Sequence, residues 1–241
     1  MKITEKITIT NECNMELMKR YPDNYFDLAI VDLEYCIGAS KPSKKPNEIK
    51  QKNGSTLNVK QANYTHKDWD FKKSPAEYFN ELFRVSKNQI IFGGNYYGLE
   101  GGYLVWDKLN GECDQFGCEL AWLSFSKRTD IVYYLWQGMF QGLIPSKNIM
   151  KAIIQEGNKK NNEIRIHPTQ KPVKLMKYIL IEYAKKGHKI LDTHHGSGSL
   201  SISIHDLVDL ELEIVACELD AEYYDKAIKR IKDHVGQTKL F

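Results

Sequence analysis

Apolar positions follow two different periods along this chain. Residues 7–9, 26–31, 89–92, 103–106, 118–126, 189–191 and 213–217 are short alternating or continuously apolar runs, and each reads as a strand. Helical spacing appears elsewhere. Residues 14–20 carry Met15, Leu17 and Met18, and residues 76–85 carry Tyr78, Phe79, Leu82 and Phe83. Residues 173–184 place Leu175, Met176, Ile179, Leu180 and Tyr183 on one face. Residues 200–207 open another helix, and residues 221–235 close the series with Tyr224, Ala227, Ile228 and Ile231. Residues 131–140 are aromatic-rich and fit a strand or a lid. Residues 38–67 and 141–166 are polar without a period, so both read as loops. Strands alternating with helices predict a mostly parallel sheet covered on both faces.

Composition narrows this only slightly. A chain of 241 residues, 42% hydrophobic and 27% charged, buries a real core as one large α/β domain or as a domain with a small lobe. No apolar run approaches the roughly 18 residues of a membrane helix, and the first residues do not form a signal peptide, so a cytoplasmic protein is expected. The net charge of +3 permits a nucleic-acid partner without arguing for one. Two basic clusters, Lys41, Lys44, Lys45, Lys50, Lys52 and Lys60, then Lys159, Lys160, Arg165 and Lys171, read on charge alone as solvated loops. The scattered cysteines Cys13, Cys36, Cys113, Cys118 and Cys217 suit reduced thiols, and no metal site is expected.

The strongest local chemistry lies in KILDTHHGSGSLSIS, residues 189–203. A buried strand ends in Asp192, glycines 196 and 198 let the backbone turn and approach a ligand, and a helix follows at once. A carboxylate at that strand end can hold the ammonium of an amino-acid-like cofactor. S-adenosylmethionine has such an ammonium and a nicotinamide dinucleotide does not. Glu218, at the end of the next strand, is placed to accept hydrogen bonds from a ribose diol, while Asp220 reads as a helix cap. Of the adjacent His194 and His195, cofactor packing is expected rather than metal binding, with the two rings pointing apart.

Upstream, RIHPTQKPVKLM at residues 165–176 resembles a segment of the amino-group DNA methyltransferases, which make N6-methyladenine or N4-methylcytosine. The motif order resembles their beta group. Asp192-Thr193-His194-x-Gly196-Ser197-Gly198-Ser199, Ile91-Phe92-Gly93-Gly94-Asn95-Tyr96 and Val105-Trp106-Asp107-Lys108 match further family segments. The resemblance implies an α/β fold, a Rossmann-like seven-stranded methyltransferase sheet with helices on both faces, in a single domain over residues 1–241. It implies a target-recognition part near residues 107–166, with the loop at 38–67, ending near Tyr64 and Trp69, lying over DNA. It also implies S-adenosylmethionine as cofactor, held by Asp192, Thr193, Gly196, Ser197, Gly198, Glu218, Thr169 and Lys171, double-stranded DNA as partner, a possible homodimer, and a bacterial or phage origin in a restriction-modification setting.

The family's catalytic loop is Asp-Pro-Pro-Tyr, and here Asp32, Leu33, Glu34 and Tyr35 stand in its place. In the family the acid and the next carbonyl accept the two amine hydrogens of a flipped base, and the aromatic stacks on that base. Without the prolines the loop is expected to be freer, and Glu34 is expected to act as a like charge beside Asp32 that raises carboxyl pKa values. His195 also departs from the apolar residue usual at its position. Three readings follow: an active DNA methyltransferase, adenine N6 preferred; an impaired relative that binds cofactor or DNA; and a loop retuned for another nucleophile or a modified base.

Overall fold

The computed structural model describes residues 1–37, 48–50, 54–58, 72–110, 116–137, 140–142 and 162–237. Its centre is Leu28–Asp32 (β3), a run that is buried on both sides. It lies parallel to Lys189–Asp192 (β12) on one side and to Gln89–Phe92 (β6) on the other. Beyond β12 come Glu213–Glu218 (β13) and Ile7–Asn11 (β2), both parallel, and Lys2–Thr4 (β1) closes that edge antiparallel to β2. Beyond β6, Cys118–Leu123 (β8) runs antiparallel to β6 and to Gly102–Asp107 (β7), and Asp130–Tyr133 (β9) lies parallel to β7 at the far edge.

The main sheet therefore has nine strands rather than seven, the edge strands β1 and β9 extending it. The sheet is mostly parallel, as expected, with β8 reversed against both of its neighbours. Only ten residues connect it to β7, and a parallel crossover needs a dozen or more, usually helical. Two small hairpins stand apart: Glu48–Lys50 (β4) with Thr56–Asn58 (β5), and Trp136–Gln137 (β10) with Phe140–Gln141 (β11). The rest of the expected loop at 38–67, with Tyr64 and Trp69 at its end, lies outside the described residues. Strands β8 and β9 fall inside the 107–166 stretch yet belong to the main sheet.

Side-chain alternation along the strands builds two cores. Leu28, Ile30, Ile90, Phe92, Ile190 and Ile214 pack under Val173–Tyr183 (α3), Ser199–Asp206 (α4) and Ala221–Val235 (α5). Ala29, Val31, Ile91, Leu191 and Cys217 face the other way, against Asn14–Met18 (α1) and Ala76–Val85 (α2). Helices thus cover both faces, as the pattern predicts. The chain leaves β3 through α2 toward β6, and leaves β12 through α4 toward β13. The two connections diverge, so a crevice opens beyond the carboxyl ends of β3 and β12, where such sheets bind ligands.

Candidate active site

That crevice is lined by Asp32 and Glu34 from the end of β3 and by Asp192, His194 and Glu218 from β12, its loop and β13. The glycine loop supplies its floor. Gly196 and Gly198 take φ of 54° and 78°, which disfavours any residue with a Cβ. At Gly198 a Cβ would also stand 2.7 Å from Ile231 Cδ1, so the loop packs directly onto α5. Asp192 Oδ1 accepts a hydrogen bond from His194 N at 3.1 Å, and its Oδ2 lies 3.2 Å from His195 Nδ1. Glu218 accepts from Gly196 N at 2.8 Å and from Asp220 N at 2.9 Å, and burial raises its carboxyl pKa. Asp220 caps α5, accepting from Glu222 N and Tyr223 N, as its position suggests.

The remaining expected cofactor residues gather around this crevice. Thr193 Oγ1 lies 2.7 Å from Tyr78 Oη, and Ser197 Oγ lies 3.2 Å from Ser199 Oγ. Thr169 Oγ1 lies 3.1 Å from His167 Nδ1. The His167 ring packs edge-on to Tyr223 at 4.3 Å, and burial pushes its pKa down to about 3. The donor set fits an amino-acid-bearing nucleoside: an acid at each of two neighbouring strand ends, with glycine backbone between them. Lys171 lines the same crevice, with its Nζ on Asp32. The two histidines point apart: His194 reaches the catalytic loop, and His195 turns inward to Asp192 and to Ser201 Oγ at 3.2 Å. His195 thus fills a usually apolar position with both ring nitrogens partnered.

Asp32 sits in a buried charge cluster. Lys171 Nζ reaches Asp32 Oδ2 at 2.5 Å and Glu119 Oε2 at 3.0 Å, and Lys108 Nζ reaches Glu119 Oε1 at 2.5 Å. Tyr35 Oη lies 3.2 Å from Asp32 Oδ1 and 3.1 Å from Glu119 Oε2. Burial pushes the Asp32 carboxyl up; Lys171 opposes that rise and Glu119 adds to it. Against its own burial, Glu119 is held down at about 2 by Lys171 and Lys108. Glu119 escaped sequence reading, and Lys108 entered it only within a matched family segment, with no role assigned. Their signal was weak: an acid and a lysine at the ends of two adjacent apolar strands.

Two expectations for the loop are corrected. The like charge beside Asp32 is Glu119. Glu34 turns away, with Oε1 3.4 Å from His194 Nε2 and Oε2 accepting from Ser74 Oγ at 3.0 Å. Despite burial, these partners hold the Glu34 carboxyl below the usual range. Nor is the loop free. Leu33 is buried at 3% exposure in the core under α1 and α2, and the Glu34 carbonyl accepts from Tyr97 Oη at 2.8 Å. The Tyr35 ring stacks on Tyr96 and fills the space over Gly93, where a Cβ would stand 2.2 Å from Tyr35 Cε1. Side-chain anchors therefore take up the constraint that prolines supply through φ. In the second basic cluster Arg165 also turns inward, over the Trp136 ring at 4.4 Å. Lys159 and Lys160 lie outside the described residues, as do most lysines of the first.

The model of the DNA methylase family matches residues 1–229. The chain belongs to the DNA methylase family. Among solved structures, this methylase is similar to M1.HpyAVI, determined as a complex with SAM. The identity is 17%, coverage is 93% of this chain and 98% of that one, and the TM-score is 0.53. It is also similar to PvuII DNA methyltransferase, described as cytosine-N4-specific, at 11% identity, 96% and 92% coverage and a TM-score of 0.50. At these identities the likeness concerns the fold. No curated protein matches the chain.

Proposed function

We propose that this methylase transfers a methyl group from S-adenosylmethionine to an exocyclic amine of a base flipped out of double-stranded DNA, adenine N6 by preference. One observation carries the reading. Asp32, Leu33 and the Asp192–Glu218 acid pair line one crevice at the carboxyl ends of neighbouring strands. Bound there, the cofactor supplies an electrophilic methyl carbon. Asp192 takes its ammonium and Glu218 its ribose diol, while the backbone at Gly196 permits close approach and Gly198 lets the loop turn onto α5. Thr193, Ser197 and Thr169 line the same wall.

Asp32 and the Leu33 carbonyl accept the two amine hydrogens, which aims the nitrogen lone pair at the methyl carbon. The nitrogen–carbon bond forms as the carbon–sulfur bond breaks, and Asp32, its pKa raised by burial, takes the departing proton. Tyr35 stacks on the base. Lys171 keeps Asp32 ionised until the amine arrives. Residues 107–166 outside strands β8 and β9 contact the target sequence, and a homodimer in a restriction-modification setting is consistent with this activity.

A second reading, a scaffold that binds without transferring, has one observation in its favour. Lys171 already holds Asp32 Oδ2 at 2.5 Å, an acceptor the amine needs. Transfer of labelled methyl from S-adenosylmethionine to unmethylated duplex DNA separates the two. Incorporation by the wild type that falls at least about 100-fold in Asp32→Ala, with cofactor affinity retained by calorimetry, supports transfer. A silent wild type that still binds cofactor supports the second reading. Digestion of labelled DNA distinguishes adenine from cytosine.

A further inference from the structure

We propose that Glu34 and His194 act as one positioning unit that clamps the catalytic loop to the glycine loop, in place of the missing prolines. The inference rests on the transfer reading above and deepens it. Glu34 Oε1 and His194 Nε2 meet at 3.4 Å across the crevice, with both side chains largely shielded, at 20% and 16% exposure.

Each partner is anchored behind the contact. The second oxygen of Glu34 accepts from Ser74 Oγ, and its carbonyl accepts from Tyr97 Oη. His194 Nδ1 lies 2.9 Å from Thr193 Oγ1, which meets Tyr78 Oη, and its backbone N–H donates to Asp192 Oδ1. The Tyr78 ring packs edge-on against the imidazole. A proline at position 34 would bring no carboxylate to this site. The clamp therefore fixes the residue next to the Leu33 carbonyl relative to Asp192, so it sets the distance between amine acceptor and cofactor.

The charges agree with the geometry. Despite burial, Glu34 raises the His194 pKa, with Asp192 and Glu218 also facing the ring and adding to the rise. His194 in turn helps lower that of Glu34. A hydrogen bond between opposite charges is shorter, about 2.7–2.9 Å, and stronger than a neutral one; at 3.4 Å this pair is held chiefly by charge attraction.

The test is a double-mutant cycle in the full chain: Glu34→Gln, His194→Gln and both. Single-turnover methyl transfer and S-adenosylmethionine affinity are measured for each. Each single variant is expected to slow transfer about tenfold or more, and the double to be no slower than the slower single, because misplacement by about 1 Å costs about 100-fold. In Glu34→Gln, cofactor affinity should change less than about threefold, which also shows that this variant folds; equal losses in rate and affinity there would indicate mere packing. Independent, additive losses or unchanged rates overturn the proposal. If the wild type transfers no methyl group, the transfer reading has failed, and the clamp is read from the imidazole titration of His194 by NMR. A wild-type pKa above the ordinary value that falls in Glu34→Gln supports the clamp. A wild-type value at or below the ordinary one overturns it, whether or not any variant folds.

Discussion

Glu119 shows how a single side chain can set the state of another. It shares the Lys171 ammonium with Asp32 and holds Lys108 as well, with side-chain exposures of 14%, 5%, 24% and 10% for Glu119, Lys171, Asp32 and Lys108. Removing one member of such a buried set leaves the others uncompensated. Glu119→Ala is therefore expected to lower the free energy of unfolding by about 3–5 kcal/mol, measured by urea denaturation at neutral pH. Unchanged stability would mean that water replaces the carboxylate without cost. Sequence reading finds Asp32, because an acid at the end of a buried strand stands out. It misses Glu119, because an acid in an alternating strand looks like a solvent-facing one until the partner strand is known.

At the scale of elements, amphipathic period served well where one face alone is buried. The helices Ala76–Val85 and Ala221–Val235 have the bounds the pattern predicts, and so does the strand Gln89–Phe92, which is buried on both faces and legible as a short apolar run. Alternation of strands with helices gave the parallel direction of the central strands, but the reversal of β8 was not legible, since period two is the same in either direction. The segment before α3 packs onto α5 through His167 and Tyr223, and this contact carries a pH dependence. The folded-state pKa of His167, about 3, lies below the ordinary 6.5. The unfolded chain therefore binds the extra proton between these values, and stability rises with pH through this window. Its contribution is complete above about pH 6.5 and is lost progressively as pH falls toward 3. Lowering the pH from 7.5 to 5.5 should cost about 1 kcal/mol through this group, and His167→Gln should remove that part of the slope in urea titrations.

Across the whole molecule, the crevice draws on elements from both ends of the chain, so a ligand there stabilises them together. S-adenosylmethionine at 100 times its dissociation constant should add about 2.7 kcal/mol. For a chain of this size that raises the melting temperature by about 5–10 °C. A thermal melt checks it, and Asp192→Ala should lose most of the shift at the same concentration. The fold class and the acids of the glycine loop were legible from local motifs. The Asp32–Lys171 contact was not, because it joins residues 139 positions apart through the sheet.

The same separation has a consequence during synthesis. β3 leaves the ribosome early, and its other neighbour, β12, leaves only near the end. Until then a strand apolar from Leu28 to Val31 has one side of its hydrogen-bonding ladder open. An open apolar edge is a template for pairing with other chains. A ribosome that stalls before residue 189 thus releases a sticky half-sheet, and the cell's holdases and proteases meet the nascent chain before any DNA does.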